Sequence, residues 1–205
     1  MRKFYLLLIV FLALTKTYAQ EVYFLTGTNF TNYNFTSEAE PMVTQIQSGT
    51  GSFYEVGYDF SLNSDALSYS AAVTLNEFNA LGGSPASSYS WQTKYAGGQM
   101  SLNYLRKATN RFKYGFRAGF NLSKIVYGKQ NLNGVIYDLL DQKEFSGIYF
   151  SYFGGVSANY QLNDSGYLSL GYGYSNGLNS ANSTQEKVSF NNQQIQFGIH
   201  FNINK

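Results

Sequence analysis

Residues 112–122 read Phe112-Lys113-Tyr114-Gly115-Phe116-Arg117-Ala118-Gly119-Phe120-Asn121-Leu122. Every even position is apolar or aromatic, and every odd one is glycine, asparagine or a cation. Successive side chains on a strand point to opposite faces, so the segment is predicted to be a strand with one aromatic and one polar face. A helical period of 3.6 would mix the two sets.

The same alternation recurs along the chain. Tyr54, Val56, Tyr58, Phe60 and Leu62 oppose Glu55, Gly57, Asp59 and Ser61, and Leu67, Tyr69, Ala71, Val73 and Leu75 oppose Ser68, Ser70, Ala72 and Thr74. Ala96, Gly98, Met100, Leu102 and Tyr104 oppose Gln99, Ser101 and Asn103. Further strands are read at Ile148–Tyr160 and Leu168–Tyr174, and a last one carries Ile195, Phe197, Ile199, Phe201 and Ile203. With an opening strand near Glu21–Phe30, where Val22 to Phe30 fits either register, eight strands result.

The connections alternate in length. Short polar turns are expected at Asn63-Ser64-Asp65, Lys107 to Arg111 and Asn163-Asp164-Ser165. Long Ser-, Asn-, Thr- and Gly-rich loops are expected at 31–50, 78–93, 126–144 and 176–187, with 31–50 and 126–144 long enough to hide a further hairpin. Short turns at one end and long loops at the other are the habit of transmembrane barrels.

The first residues read as an export leader: Arg2 and Lys3, an apolar run from Phe4 to Leu14, then Thr17-Tyr18-Ala19. Cleavage is expected after Ala19, dividing the chain into a signal peptide over 1–19 and a barrel domain over 20–205. The apolar run falls short of the ~20 residues a spanning helix needs. Cysteine is absent, which excludes disulfides, thiolate metal sites, a cysteine nucleophile and a lipid-bearing cysteine. Three of the 14 basic residues, Arg2, Lys3 and Lys16, lie in the leader, leaving 11 against 12 acidic residues. That balance carries no nucleic-acid footprint.

The full chain holds 19 Tyr, 17 Phe and 20 Gly and is only 13 % charged. A soluble sandwich or barrel would share the alternation, but its solvated faces would hold more Lys and Glu. Hydrocarbon tolerates a sheet only if the sheet closes, because every backbone amide must be paired. The predicted fold is therefore all-β, a closed antiparallel up-and-down transmembrane barrel of eight strands.

The last strand, Gln196-Phe197-Gly198-Ile199-His200-Phe201-Asn202-Ile203, resembles the C-terminal sorting signal of outer-membrane barrels. Gln196, Gly198, Phe201 and Ile203 carry the resemblance, and Asn204 and Lys205 follow it. Residues 20–205 as a whole resemble the "porin family" outer-membrane barrels of Bacteroidetes-type bacteria and, more distantly, the small OmpX- and OmpA-type barrels. That resemblance implies outer-membrane lipid and the barrel-assembly machinery as partners, the latter through the last strand, and a monomer. It implies no single activity.

Glu55, Asp59, Lys113 and Arg117 share the polar face and are expected to meet in the lumen as a charge network that plugs it. His200, the lone histidine, is placed inward near the short-turn end as a hydrogen-bonding residue. A barrel hydrolase would pair such a histidine with a serine facing lipid, and Asn202 stands where that serine could sit. No catalytic, cofactor-binding or metal-ligating residue is assigned. Trp91, with Tyr89 and Tyr95, is expected in an interfacial aromatic belt, and Asp138, Asp141, Lys143 and Glu144 lack the spacing of a calcium loop.

The expected role is non-enzymatic: envelope integrity, surface contact or limited small-solute passage. Alternatives are a soluble periplasmic barrel holding an apolar ligand, or the barrel component of an assembly or secretion complex.

Overall fold

The computed structural model describes residues 20–36, 47–64, 66–84, 87–140, 142, 145, 147–180 and 187–203. The leader with its expected cleavage point at Ala19, and the loop residues Asp141, Lys143 and Glu144, lie outside them. Nine strands form among the described residues: β1 (Gln20–Thr36), β2 (Gln47–Ser64), β3 (Leu67–Ser84), β4 (Ser87–Lys107), β5 (Phe112–Leu132), β6 (Val135–Asp138), β7 (Ile148–Asn163), β8 (Gly166–Ser180) and β9 (Lys187–Asn202). All pairings are antiparallel between chain neighbours, except that β7 returns to β5 and β9 closes on β1. Eight strands thus make a closed barrel, with β6 as a short appendix.

Closure is set by a long ladder in which Glu21 faces Asn202 and Thr36 faces Lys187. It also resolves the first strand. Tyr23, Leu25, Asn29, Thr31 and Tyr33 are buried inside, whereas Phe24 and Phe30 face out.

The outer face of the short-turn half is continuously apolar. Val73 is 69 % exposed, Leu170 60 % and Leu102 58 %. A soluble barrel would have to leave these side chains in water. That disposes of the soluble ligand-binding alternative, because here the apolar face is the outer one.

The strands run further than the alternation suggests. A barrel strand crosses hydrocarbon in about 9–11 residues, while β4 and β5 have 21 each. The segments expected as long loops at 78–93 and 126–144 are therefore largely strand, as are the flanks of 31–50 and 176–187. The reason is a reversal of amphipathic sense. Beyond the apolar band, Asn32, Thr50, Glu77, Gln92, Lys94, Lys124 and Gln193 point outward, while Tyr33, Phe78, Tyr95, Ile125, Tyr149 and Phe190 point inward. The ladder continues through the switch, but a search for apolar-out alternation stops there.

The 126–144 segment does hide a hairpin. Asn133 (φ 51°) and Gly134 (φ 86°) supply the two left-handed residues of a tight turn, and Val135–Asp138 folds back on Leu132–Lys129. The hairpin prolongs β5 without adding a span, so the barrel stays eight-stranded. An extra residue, Val126, interrupts the β4–β5 register just beyond the apolar band.

Position along one strand should decide the cost of a charge. Met100→Arg, on the lipid side of β4, is expected to cost about 2–4 kcal/mol. Gln92→Arg, on the same face beyond the band, is expected to cost within about 0.5 kcal/mol. Urea unfolding of the barrel in phosphatidylcholine vesicles compares them.

Candidate functional site in the lumen

The interior is filled in layers. Nearest the short turns, His200 Nδ1 lies 2.6 Å from Glu21 Oε1, its Nε2 lies 2.9 Å from Ser169 Oγ, and the Tyr167 hydroxyl donates to Glu21 at 2.7 Å. The Tyr167 ring stacks on the imidazole at 4.2 Å with an interplanar angle of 11°.

The next layer is an ion pair between Arg117 and Glu55. Tyr23 donates to Glu55 Oε1 at 2.8 Å, Gln99 donates to Oε2 at 2.9 Å, and Arg117 donates to Tyr23 Oη at 3.0 Å and Ser101 Oγ at 2.9 Å. The guanidinium also lies over the rings of Tyr23 and Phe153. Glu55 is buried, and a carboxylate withdrawn from water persists only when its lone pairs are met this fully.

A belt of amides follows. Asn29 accepts from Asn192 at 2.9 Å and Gln194 at 2.7 Å and donates to Asn76 at 3.3 Å, while Asn121 donates to Thr74 at 2.8 Å. The far end is an aromatic layer. Tyr149 stacks on Phe190 at 4.2 Å, Phe78 lies 4.4 Å from Phe190, and Tyr33 donates to the Phe78 carbonyl at 3.0 Å. Leu139 and Phe145, from the connection after β6, are buried against this layer.

The expected charge network is therefore two networks. Glu55 and Arg117 meet. Asp59 instead accepts from Asn103 at 3.1 Å, with its Oδ1 lacking a hydrogen-bond partner. Lys113 stands 5.5 Å over the Tyr167 ring. His200 joins Glu21, a residue not anticipated because its strand could not be assigned a register. The serine near His200 is Ser169, on β8 rather than the position of Asn202, and only the β8–β9 register brings them together.

Trp91 is corrected more fully. It turns inward and packs edge-on against Tyr33 at 5.3 Å and Phe145 at 5.7 Å. The extension of β4 puts it on the inner row with Thr93 and Tyr95 instead of in an interfacial belt. Of the last-strand residues, Phe201 and Ile203 face out, and Gln196 turns in to donate to Gln194. Gly198 lies on the inner row, where a Cβ would fall onto Ser169 Oγ and come within 3.0 Å of His200 Nε2.

No group of three His, Cys, Asp or Glu side chains among the described residues could hold a metal ion. No described helix is long and apolar enough to cross a membrane.

No protein-family model and no curated protein sequence matches the chain. Among solved structures it is similar to the outer membrane protein OprG from Pseudomonas aeruginosa, with a TM-score of 0.54 and 14 % identity over 90 % of this chain and 97 % of that one. It is also similar to Neisserial surface protein A, with a TM-score of 0.50 and 14 % identity over 88 % of this chain and 96 % of that one. The fold is that of the small outer-membrane β-barrels. The polar lumen and the apolar outer band acquire their meaning from that fold: hydrocarbon outside, a filled core within.

Arg117→Met should strand a buried carboxylate and cost about 3–5 kcal/mol, and adding Glu55→Met should recover most of it. Urea midpoints of the single and double variants measure the difference.

Proposed function

We propose that this is a monomeric outer-membrane barrel that does not conduct through its lumen and that acts through its outward hairpins as a surface-contact protein. The observation that carries this reading is the combination of a lumen capped by the aromatic layer with the projecting β5–β6 hairpin. There Val135 is 53 %, Ile136 63 % and Tyr137 47 % exposed. Apolar side chains this exposed in a row, on a rigid scaffold and clear of the apolar band, are a contact surface in search of a partner. Small-solute passage is disfavoured by the aromatic layer, to which β1, β3, β4, β5, β7 and β9 all contribute buried side chains.

In this reading the short turns face the periplasm and the long hairpins the exterior. The final strand, with Gln196, Gly198, Phe201 and Ile203, engages the barrel-assembly machinery. Nothing in the proposed role requires a cofactor. Service in an assembly or secretion complex draws support from no particular residue.

Cells displaying the protein are expected to partition into hexadecane more than cells displaying a Val135→Ser, Ile136→Ser, Tyr137→Ser variant, while both proteins stay silent in planar bilayers. Equal partitioning together with steady conductance of the parent would favour passage over contact.

A further inference from the structure

The Ser169–His200–Glu21 chain has a chemical capacity that lumen filling does not require. With the ring proton on Nδ1, the 2.6 Å contact is a hydrogen bond donated by His200 to Glu21 Oε1. In the neutral ring Nε2 is then an acceptor, and the Ser169 hydroxyl, 2.9 Å away, donates to it. A hydroxyl donating to an imidazole that is oriented by a carboxylate is the arrangement that activates a serine oxygen as a nucleophile.

Independent features hold the arrangement. Glu21 Oε1 also accepts from Tyr167, which fixes the carboxylate, and Tyr167 stacks flat on His200, which fixes the ring. The His200 and Glu21 side chains are only 12 % and 15 % exposed. A Cβ at Gly198 would fall onto Ser169 Oγ and Leu25 Cδ2, so a larger residue there would push the serine away from the imidazole.

The surroundings can accommodate a reaction. Ser169 and His200 line a cavity of about 110 Å³ that continues along Asn103, Leu105 and Asn159. Asn159 stands directly opposite Ser169 in the β7–β8 ladder, and Lys113 stands directly opposite Asn159 in the β5–β7 ladder. Directly opposed side chains begin about 4.5–5.5 Å apart. Asn159 is thus the residue across the ladder from Ser169, its carboxamide donating to Ser157 at 3.0 Å, and Lys113, one strand further on, lies over the Tyr167 ring that stacks on His200.

We propose that Ser169 is an activated nucleophile, with His200 as its general base and Glu21 as the positioning residue, acting on short-chain esters that enter from the short-turn end. Ser169 Oγ adds to the ester carbonyl carbon while its proton passes to His200 Nε2. The carbon–oxygen bond to the alcohol breaks, and the alcohol leaves carrying that proton. Water then adds to the acyl-serine carbon, giving up a proton to His200 Nε2; the carbon–Oγ bond breaks as that proton passes to Ser169 Oγ, and the carboxylic acid departs. The size of the cavity and its separation from lipid by the barrel wall limit the acyl group to a few carbons.

The test is made on the folded mature barrel in detergent, using diisopropyl fluorophosphate and p-nitrophenyl acetate as probes. Peptide mapping of the parent is expected to place a single phosphoryl adduct on Ser169. Labelling should vanish in Ser169→Ala, persist in Ser151→Ala, and slow by about 10²-fold or more in His200→Gln. Acetate ester turnover should follow the same order, with p-nitrophenyl palmitate untouched. A boil-dependent gel shift establishes that each variant is folded. No adduct on the folded parent, an adduct on another residue, or labelling that survives Ser169→Ala would overturn the proposal. The parent map decides the matter even if a variant fails to fold.

Discussion

Everything in this molecule follows from the need to pair backbone amides where no water can reach them. An open sheet placed in hydrocarbon would leave two edges of unpaired N–H and C=O groups, each costing several kcal/mol. The β1–β9 ladder, running from Glu21/Asn202 to Thr36/Lys187, removes those edges. Once closure is imposed, eight strands leave an interior that side chains alone can fill, and the outward row must match lipid.

Those two demands explain why the chain reverses its pattern part-way along strands such as β3, β4 and β9. Within the band, the outer row carries Val73, Met100, Leu102 and Phe116, and the inner row carries the Glu55–Arg117 pair and the amide belt around Asn29. Beyond it the outer row meets water and turns to Glu77, Gln92 and Lys94. The inner row no longer needs polar filling and becomes the stacked Tyr149, Phe190 and Phe78. One continuous barrel is thus a membrane protein at one end and an ordinary hydrophobic core at the other. The buried Glu55 carboxylate of the first half is tolerated because Tyr23, Gln99 and Arg117 all donate to it, while the second half is held by ring burial worth ~1.5–3 kcal/mol per side chain.

The part of the fold legible in the sequence was the part where the period-two signal has a fixed sign. Phe112–Leu122 identified β5 and its inward cations without ambiguity, and Glu55 and Arg117 were placed on the same face. Strand ends were not legible, because at Glu77 or Lys124 the polarity of each face changes while the backbone pairing does not. Trp91 was misplaced for that reason alone. The Ser169–His200–Glu21 chain was hidden by a different cause. It joins three strands, and its assembly depends on two registers, β8 with β9 and β9 with β1, that local alternation does not encode.

Closure is the claim on which the rest stands, and the natural absence of cysteine makes it directly measurable. Thr28 and Ile195 are partners across the β1–β9 seam, and both face outward. Opposed antiparallel residues have Cα atoms about 4.5–5.5 Å apart, within disulfide range. The Thr28→Cys, Ile195→Cys variant, oxidised in outer membranes and run unboiled and boiled, should cross-link nearly fully, while Thr28→Cys with Phe197→Cys, out of register by two residues, should cross-link poorly. Equal yields from both pairs, or no cross-link in the first, would contradict a closed eight-stranded barrel.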